Sequence, residues 1–172
     1  MNAGAARRSK LRAGRIGRAH GLDGSFYVED PNLLLLEPEQ PLLIGERQAV
    51  VVDRKGTDER PIVRLDVLRD RDAVDAARGE RLEARRDQAP ELPEDEWWAE
   101  DLEGCAVLDG GRAIGVVKRL MALPSCEALE VEPADGGQEL LVPLVSDAIG
   151  QVDVEERTIE IDLEFMGLGP ER

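Results

Sequence analysis

The chain has a single histidine, His20, and two cysteines, Cys105 and Cys126, in 172 residues. The two cysteines form no CxxC pair, and no second histidine completes a zinc set, so neither a disulfide framework nor a metal cluster is expected. A reducing cytosol is the simplest compartment for such a chain. No run approaches the roughly 18 consecutive apolar residues of a membrane span. The most apolar stretch, "LLLLEPEQPLLI" at 33–44, is interrupted by two acids and two prolines. The opening "MNAGAARRSKLRAG" carries basic residues with no apolar segment after them, which argues against a secretory signal. A soluble cytoplasmic protein is expected, with no membrane contact.

Acid is abundant. The net charge of −15 is unevenly spread: residues 1–22 carry six basic residues and no acid, residues 23–90 carry −5, and residues 91–172 carry −16. Phosphate neutralisation supplies most nonspecific affinity for RNA, so a chain that gripped bare RNA through most of its surface would have the opposite sign. The acidic half suits a basic protein partner, although acid also serves solubility alone.

Period-two alternation dominates the pattern. Leu11 to Ile16 and Phe26 to Val28 read as strands around the loop "AHGLDG"; "QAVVVDRKG", "RPIVRLDVL" and "ERLEA" read as three more. Between the last two, Asp70 or Asp72 caps a short helix, Val74, Ala77 and nearby Leu68 face the core, and Gly79 stops it. The stretch "DQAPELPED" has the composition of a linker. Beyond it lie three hairpin patterns, turned by Asp109-Gly110-Gly111, by Asp135-Gly136-Gly137 and around Glu155-Glu156-Arg157. In "TIEIDL", alternation places Ile159, Ile161 and Leu163 on one face. The expected fold is therefore mainly β, two small β-barrels joined by a linker rich in proline and acid. The expected boundaries are a basic flexible tail at 1–10, a first barrel at 11–87, the linker at 88–95, a second barrel at 96–168 and a short tail at 169–172.

The glycine-rich "GRIGRAHGLDG" at 14–24 raises the question of a phosphate cradle. A P-loop needs GxxxxGK[ST], and a dinucleotide fingerprint needs GxGxxG opening a helix. Here Gly24 is followed by Ser25 and Phe26 and then strand, with no lysine in register. The glycines are read instead as turn residues and as points where strands pass closely, with Arg15 and Arg18 pointing outward. His20 is read as a hydrogen-bonded turn residue. Without a Ser-His-Asp set, a metal cluster or a nucleophile motif, no enzymatic activity and no cofactor are expected. Cys105, within "GCAVL", is expected to pack as a small apolar residue.

"AGRIGRAHGLDGSFYV" resembles the opening strand and turn of the RimM family of ribosome maturation factors, and "LPEDEWWAEDLEGCAV", "AIGVVKRL", "LLVPLV" and "VDVEERTIEIDL" follow in that family's order. The resemblance spans roughly residues 11–168. It implies an N-terminal barrel similar to a translation-factor barrel and a C-terminal PRC-type barrel. It also implies assembly work: binding the immature small (30S) ribosomal subunit at its head, through the basic ribosomal protein numbered nineteen, and assisting 16S rRNA maturation, as a monomer. An isolated PRC-barrel adaptor on another complex is the alternative, and the "RIGRAHGLDG" motif argues against it.

Trp97 and Trp98 stand where that family shows two adjacent aromatics, commonly Phe or Tyr followed by Tyr. Adjacent residues of an extended strand face opposite ways, so at most one of the pair fills a core. Either the other packs at the domain junction, or at least one meets a partner. The indole N–H replaces the missing phenolic hydroxyl as a donor. Ala99 and Glu100 depart from the family's usual residues, and "MALPSCEALEV" replaces its G-x-x-D turn, so Cys126 and Glu127 gain no role. The expected partner-binding residues are Trp97, Trp98, Glu96, Glu100 and Asp101. Those expected near RNA are Arg12, Arg15, Arg18 and His20.

Overall fold

The computed structural model describes residues 8–169, in two compact units that divide between Glu94 and Asp95. Residues 1–7 of the expected basic tail, and 170–172 of the C-terminal one, lie outside the described residues.

In the N-terminal unit, the strands are β1 (Lys10–His20), β2 (Ser25–Glu29), β3 (Pro41–Ile44), β4 (Arg47–Thr57), β5 (Arg60–Leu65) and β6 (Arg81–Arg85). They close into a barrel in the order β1-β2-β5-β4-β3-β6. Closure leaves no free sheet edge. Alternation fills the interior: Phe26 and Val28 of β2, Val63 and Leu65 of β5, and Leu82 and Ala84 of β6 are all buried. Helix α1 (Arg71–Ala77) lies against β1, and it is Asp70 that caps it, its Oδ1 accepting from Ala73 N at 2.8 Å. Val74, Ala77 and Leu68 are buried as the pattern predicts.

Two details differ from the sequence reading. Strand β1 runs past Ile16 to His20, because Ala19 and His20 pair with Phe26 and Ser25 and leave only residues 21–24 for the turn. Strand β3, in the "PLLI" of the apolar stretch, has no alternation to announce it. It pairs with β4 and β6 and buries three successive residues, Leu42, Leu43 and Ile44.

The C-terminal unit begins with the short helix α2 (Ala99–Leu102), then β7 (Ala106–Asp109), β8 (Arg112–Ala122), β9 (Glu127–Pro133), β10 (Leu140–Pro143), β11 (Ile149–Asp153) and β12 (Thr158–Ile161). These strands form a half-barrel in the order β10-β9-β8-β7-β12-β11. All pairs are antiparallel except β7 with β12, which is parallel. Each of the three expected hairpins is present. The core gathers Leu102, Cys105, Val107, Leu129, Val131 and Ile159, with Ile161 and Leu163 on the same side as alternation requires.

Among the buried acids of this unit, Glu130 lies on the face of β9 opposite core Leu129 and Val131, covered by two cations. Glu130 is 5% exposed, and a register shift between Val117 and Arg119 sets Lys118 and Arg119 together against it. Such a bulge places two residues opposite one. Lys118 Nζ donates to Glu130 at 3.0 Å, and Arg119 Nε donates to the other carboxylate oxygen. The Arg119 and Lys118 hydrogen bonds hold the Glu130 pKa down from 4.5 to about 2.

The glycine loop generates the first prediction. A Cβ on Gly24, whose φ is +85°, would stand 1.9 Å from the Leu68 carbonyl oxygen, whereas one on Gly21, at φ +72°, meets nothing within 4 Å. Gly21→Ala therefore carries only the left-handed backbone penalty of about 1 kcal/mol, while Gly24→Ala adds a backbone clash and costs about 3 kcal/mol or more. Urea unfolding followed by circular dichroism measures both; equal midpoints would contradict the close approach.

The second concerns Glu130. Its depressed pKa means that its charge stabilises the fold fully above about pH 4.5, and that this contribution disappears as pH falls towards 2. The stability difference between the native protein and Glu130→Gln should shrink from about pH 6 to about pH 3. Tryptophan fluorescence reads this unit alone, since both tryptophans belong to it. A pH-independent difference would show that Glu130 owes its place to packing alone.

Candidate functional site

Two groups of expected residues lie in the two units. In the C-terminal unit, Trp97 and Trp98 precede α2 in extended backbone rather than in a strand, Trp98 having φ −69° and ψ 138°. Trp97 is partly buried and packs against the apolar core, while Trp98 is 8% exposed. Both indoles are thus largely covered, and Trp97 packs against the core. The carbonyl of Trp98 accepts from Asp101 N at 2.9 Å, and the turn this starts carries the next acids inward. Glu100 is 4% and Asp101 6% exposed, and Glu96 alone of the three acids is exposed. A partner meeting this segment as folded therefore touches Glu96 and Trp97, with Trp98, Glu100 and Asp101 beneath. Cys105 lies in the core with its thiol donating to Asp101 O at 3.1 Å, and burial pushes its pKa up, away from a reactive thiolate.

In the N-terminal unit, the four expected residues divide along β1. Arg12 is exposed and lies opposite Glu83 of β6. Arg15 is half-buried, and its Nη1 donates to the Gly79 carbonyl at 3.3 Å just beyond α1, so it points outward only in part. Arg18 and His20 lie at the other end of the strand, where both meet Tyr27 of β2. His20 Nδ1 is hydrogen-bonded to the Tyr27 hydroxyl at 3.0 Å, and the two rings meet edge-on with centroids 5.3 Å apart. The Arg18 guanidinium carbon is 5.6 Å from the Tyr27 ring centroid and that of Arg60, on β5, is 4.2 Å from it. Both distances lie within cation–π range.

Tyr27 and Arg60 were not singled out in the sequence. Their signal was period two: "SFYVE" places Ser25 and Tyr27 outward, and "RPIVRL" places Arg60, Ile62 and Arg64 outward, over buried Pro61, Val63 and Leu65. The glycines of this region serve strand approach. A Cβ on Gly17 would lie 2.6 Å from the Tyr27 carbonyl oxygen, and one on Gly14 would lie 2.4 Å from Val28 Cγ1.

What the fold assembles here is aromatic and charged surface on β scaffolds. Residues 99–165 match the family model of the RimM PRC barrel domain. The chain is 32% identical over 154 residues to the ribosome maturation factor RimM of Sorangium cellulosum, a match covering 85% of this chain and 90% of that one. It is 31% identical over 160 residues to RimM of Corynebacterium efficiens, covering 89% and 94%. The solution structure of the N-terminal domain of RimM from Thermus thermophilus matches 50% of this chain and 100% of that one, at 22% identity and a TM-score of 0.43. The chain belongs to the RimM family of ribosome maturation factors. No helix among the described residues is long and apolar enough to cross a membrane.

The different burial of the two tryptophans gives the third prediction. Trp98→Ala should cost about 3 kcal/mol or more, the usual loss for a buried large aromatic, and Trp97→Ala distinctly less. Each variant keeps one indole as its own fluorescence reporter in a urea titration. An equal or reversed order would mean that Trp97 is the structural member of the pair.

Proposed function

We propose that this protein binds the immature small ribosomal subunit at its head and assists maturation of 16S rRNA. The C-terminal unit contacts the basic head protein numbered nineteen through Glu96 and Trp97, supported from beneath by Trp98, Glu100 and Asp101. The N-terminal unit lies close to RNA along β1, with Arg12, Arg15, Arg18 and His20. The protein acts as a cytoplasmic monomer, without a catalytic step and without a cofactor.

The observation that carries this reading is the sorting of charge. Residues 91–172 carry −16, a sign that attracts a basic protein and repels phosphate, whereas residues 1–22 carry six basic residues and no acid. An aromatic at the edge of the acidic unit, as Trp97 is, supplies the kind of side chain on which binding energy concentrates. Family membership supports the ribosomal setting.

The test measures affinity for the isolated head protein and for purified immature subunits across a range of salt. Trp97→Ala should weaken binding to the head protein by about 2 kcal/mol while leaving the protein folded. Arg12→Gln with Arg18→Gln should lower affinity for whole subunits and flatten its salt dependence, with little effect on the head protein. Trp97→Ala binding the head protein as tightly as the native chain would remove the tryptophan segment from the interface.

A further inference from the structure

We infer that the outer face of β1, β2 and β5 is a binding site for single-stranded RNA, in which Tyr27 holds Arg18 and Arg60 ready for two phosphates. This rests on the proposed RNA contact of the N-terminal unit, and it names the ligand class and the residues.

Cross-strand register builds the face. Ala19 pairs with Phe26, and Tyr27 pairs with Ile62, so Arg18, Tyr27 and the outward residues of β5 fall side by side. Tyr27 and Ile62 form a half-buried apolar centre, with Arg18 and His20 on one flank and Arg60 and Arg64 on the other. Several cations elsewhere on this barrel are held by acids: Arg54 pairs with Glu37 at 2.9 Å, Lys55 with Asp53 at 3.0 Å and Lys10 with Glu46 at 3.2 Å. Arg18 and Arg60 are held by an aromatic ring instead. In a chain of 37 acids, two neighbouring guanidiniums turned to a ring rather than to carboxylates keep their charge available to an outside anion.

Glu29, two positions along β2 from Tyr27, is exposed on the same face with its carboxylate beside Gly17, and it borders the site on the Arg15 side. Asp23 accepts from Ser25 N at 3.0 Å and its charge also acts on Arg64, and Asp53 is paired with Lys55, which leaves Arg18 and Arg60 as the two cations offered to phosphate. Asp58 and Glu59 are exposed in the turn that precedes Arg60. Repeated phosphates need spaced cations, and unpaired bases need an aromatic or apolar surface to lie on. An acidic peptide would use the arginines but leave the Tyr27–Ile62 centre without a partner. A hollow elsewhere on the barrel, lined by Lys10, Glu46, Arg85 and Asp87, offers no such site because its charges already pair with one another.

Tyr27 is a positioning residue here. It fixes the guanidiniums before RNA arrives, which reduces the ordering that binding would otherwise require.

The experiment is fluorescence anisotropy with a labelled oligouridylate of about ten nucleotides, titrated with the full chain across a range of salt. Arg18→Gln and Arg60→Gln should each weaken binding several-fold at low salt and reduce the salt slope by about 0.7. Tyr27→Leu should weaken it about tenfold with the slope unchanged, since no charge is lost, and Tyr27→Phe should bind as the native chain does. Arg112→Gln, a charge change of equal size in the other unit, should have no effect. Native-like RNA binding by both arginine variants, or equally tight binding of a polyglutamate peptide of matched charge, would overturn the site. Should Tyr27→Leu fail to fold, the two arginine variants decide. Head-protein binding, measured in parallel, separates the two readings: RNA effects of this pattern without any head-protein binding support this site and refute only the protein contact.

Discussion

Strand β1 must hydrogen-bond to a neighbour along both of its edges, and the N-terminal barrel depends on its doing so. It pairs with β2 on one side and β6 on the other, and each register slips once, between Ile16 and Ala19 and between Arg12 and Gly14. Slips of this kind bend a strand and let a small sheet close. The bend brings backbones so near that side chains are excluded: Gly14 and Gly17 face Val28 and the Tyr27 carbonyl where no Cβ would fit. The same close approach sets Tyr27 beside Arg18. Closure and surface are therefore one arrangement, and a substitution that forced β1 and β2 apart would disturb both.

The C-terminal unit solves a different problem, that of carrying so much acid while keeping an apolar core. Its answer at Glu130 is local: a bulge covers one carboxylate with two partly exposed cations, one of them shared with Glu139. Removing one partner from such a group is costly, because the remaining charge is left in poor solvent. Most of the other acids lie in turns or on outward strand positions, among them Asp135, Glu155 and Glu156, where water solvates them and a basic partner could reach them. Several also hold the turns: Asp135 accepts from Gly137 N at 2.9 Å, and Asp153 accepts from Glu155 N at 3.1 Å and Glu156 N at 2.9 Å.

Features fixed by local pattern were legible in the sequence. Alternation gave the inward residues of "TIEIDL", Gly110 and Gly111 gave the first hairpin of the second unit, and Asp70 was one of two caps offered for α1. Features that need distant partners were not. Strand β3 is apolar on successive residues because its neighbours cover it, so period two is absent. The inward turn of Glu100 and Asp101 depends on the start of α2 at Ala99, which adjacent aromatics in an acidic stretch do not announce. Arg60 meets Tyr27 because the barrel order places β5 next to β2, a neighbour relation that skips two strands of the chain.

Such an uneven charge has a consequence for encounter. At physiological salt, fields fade within about 8 Å, so the excess acid of residues 91–172 does not repel RNA from the whole molecule; it repels RNA that comes close to that unit. A basic protein feels the same field with the opposite sign. In the proposed reading, the acid of the C-terminal unit favours encounters of that unit with a basic protein and penalises encounters of that unit with phosphate. Complementary fields of this kind govern encounter rate and the rejection of wrong poses more than final affinity. Affinity has to come from groups in contact, and the two proposed contacts would use unlike means: guanidiniums ordered on a tyrosine in one unit, and a tryptophan seated on an apolar core in the other.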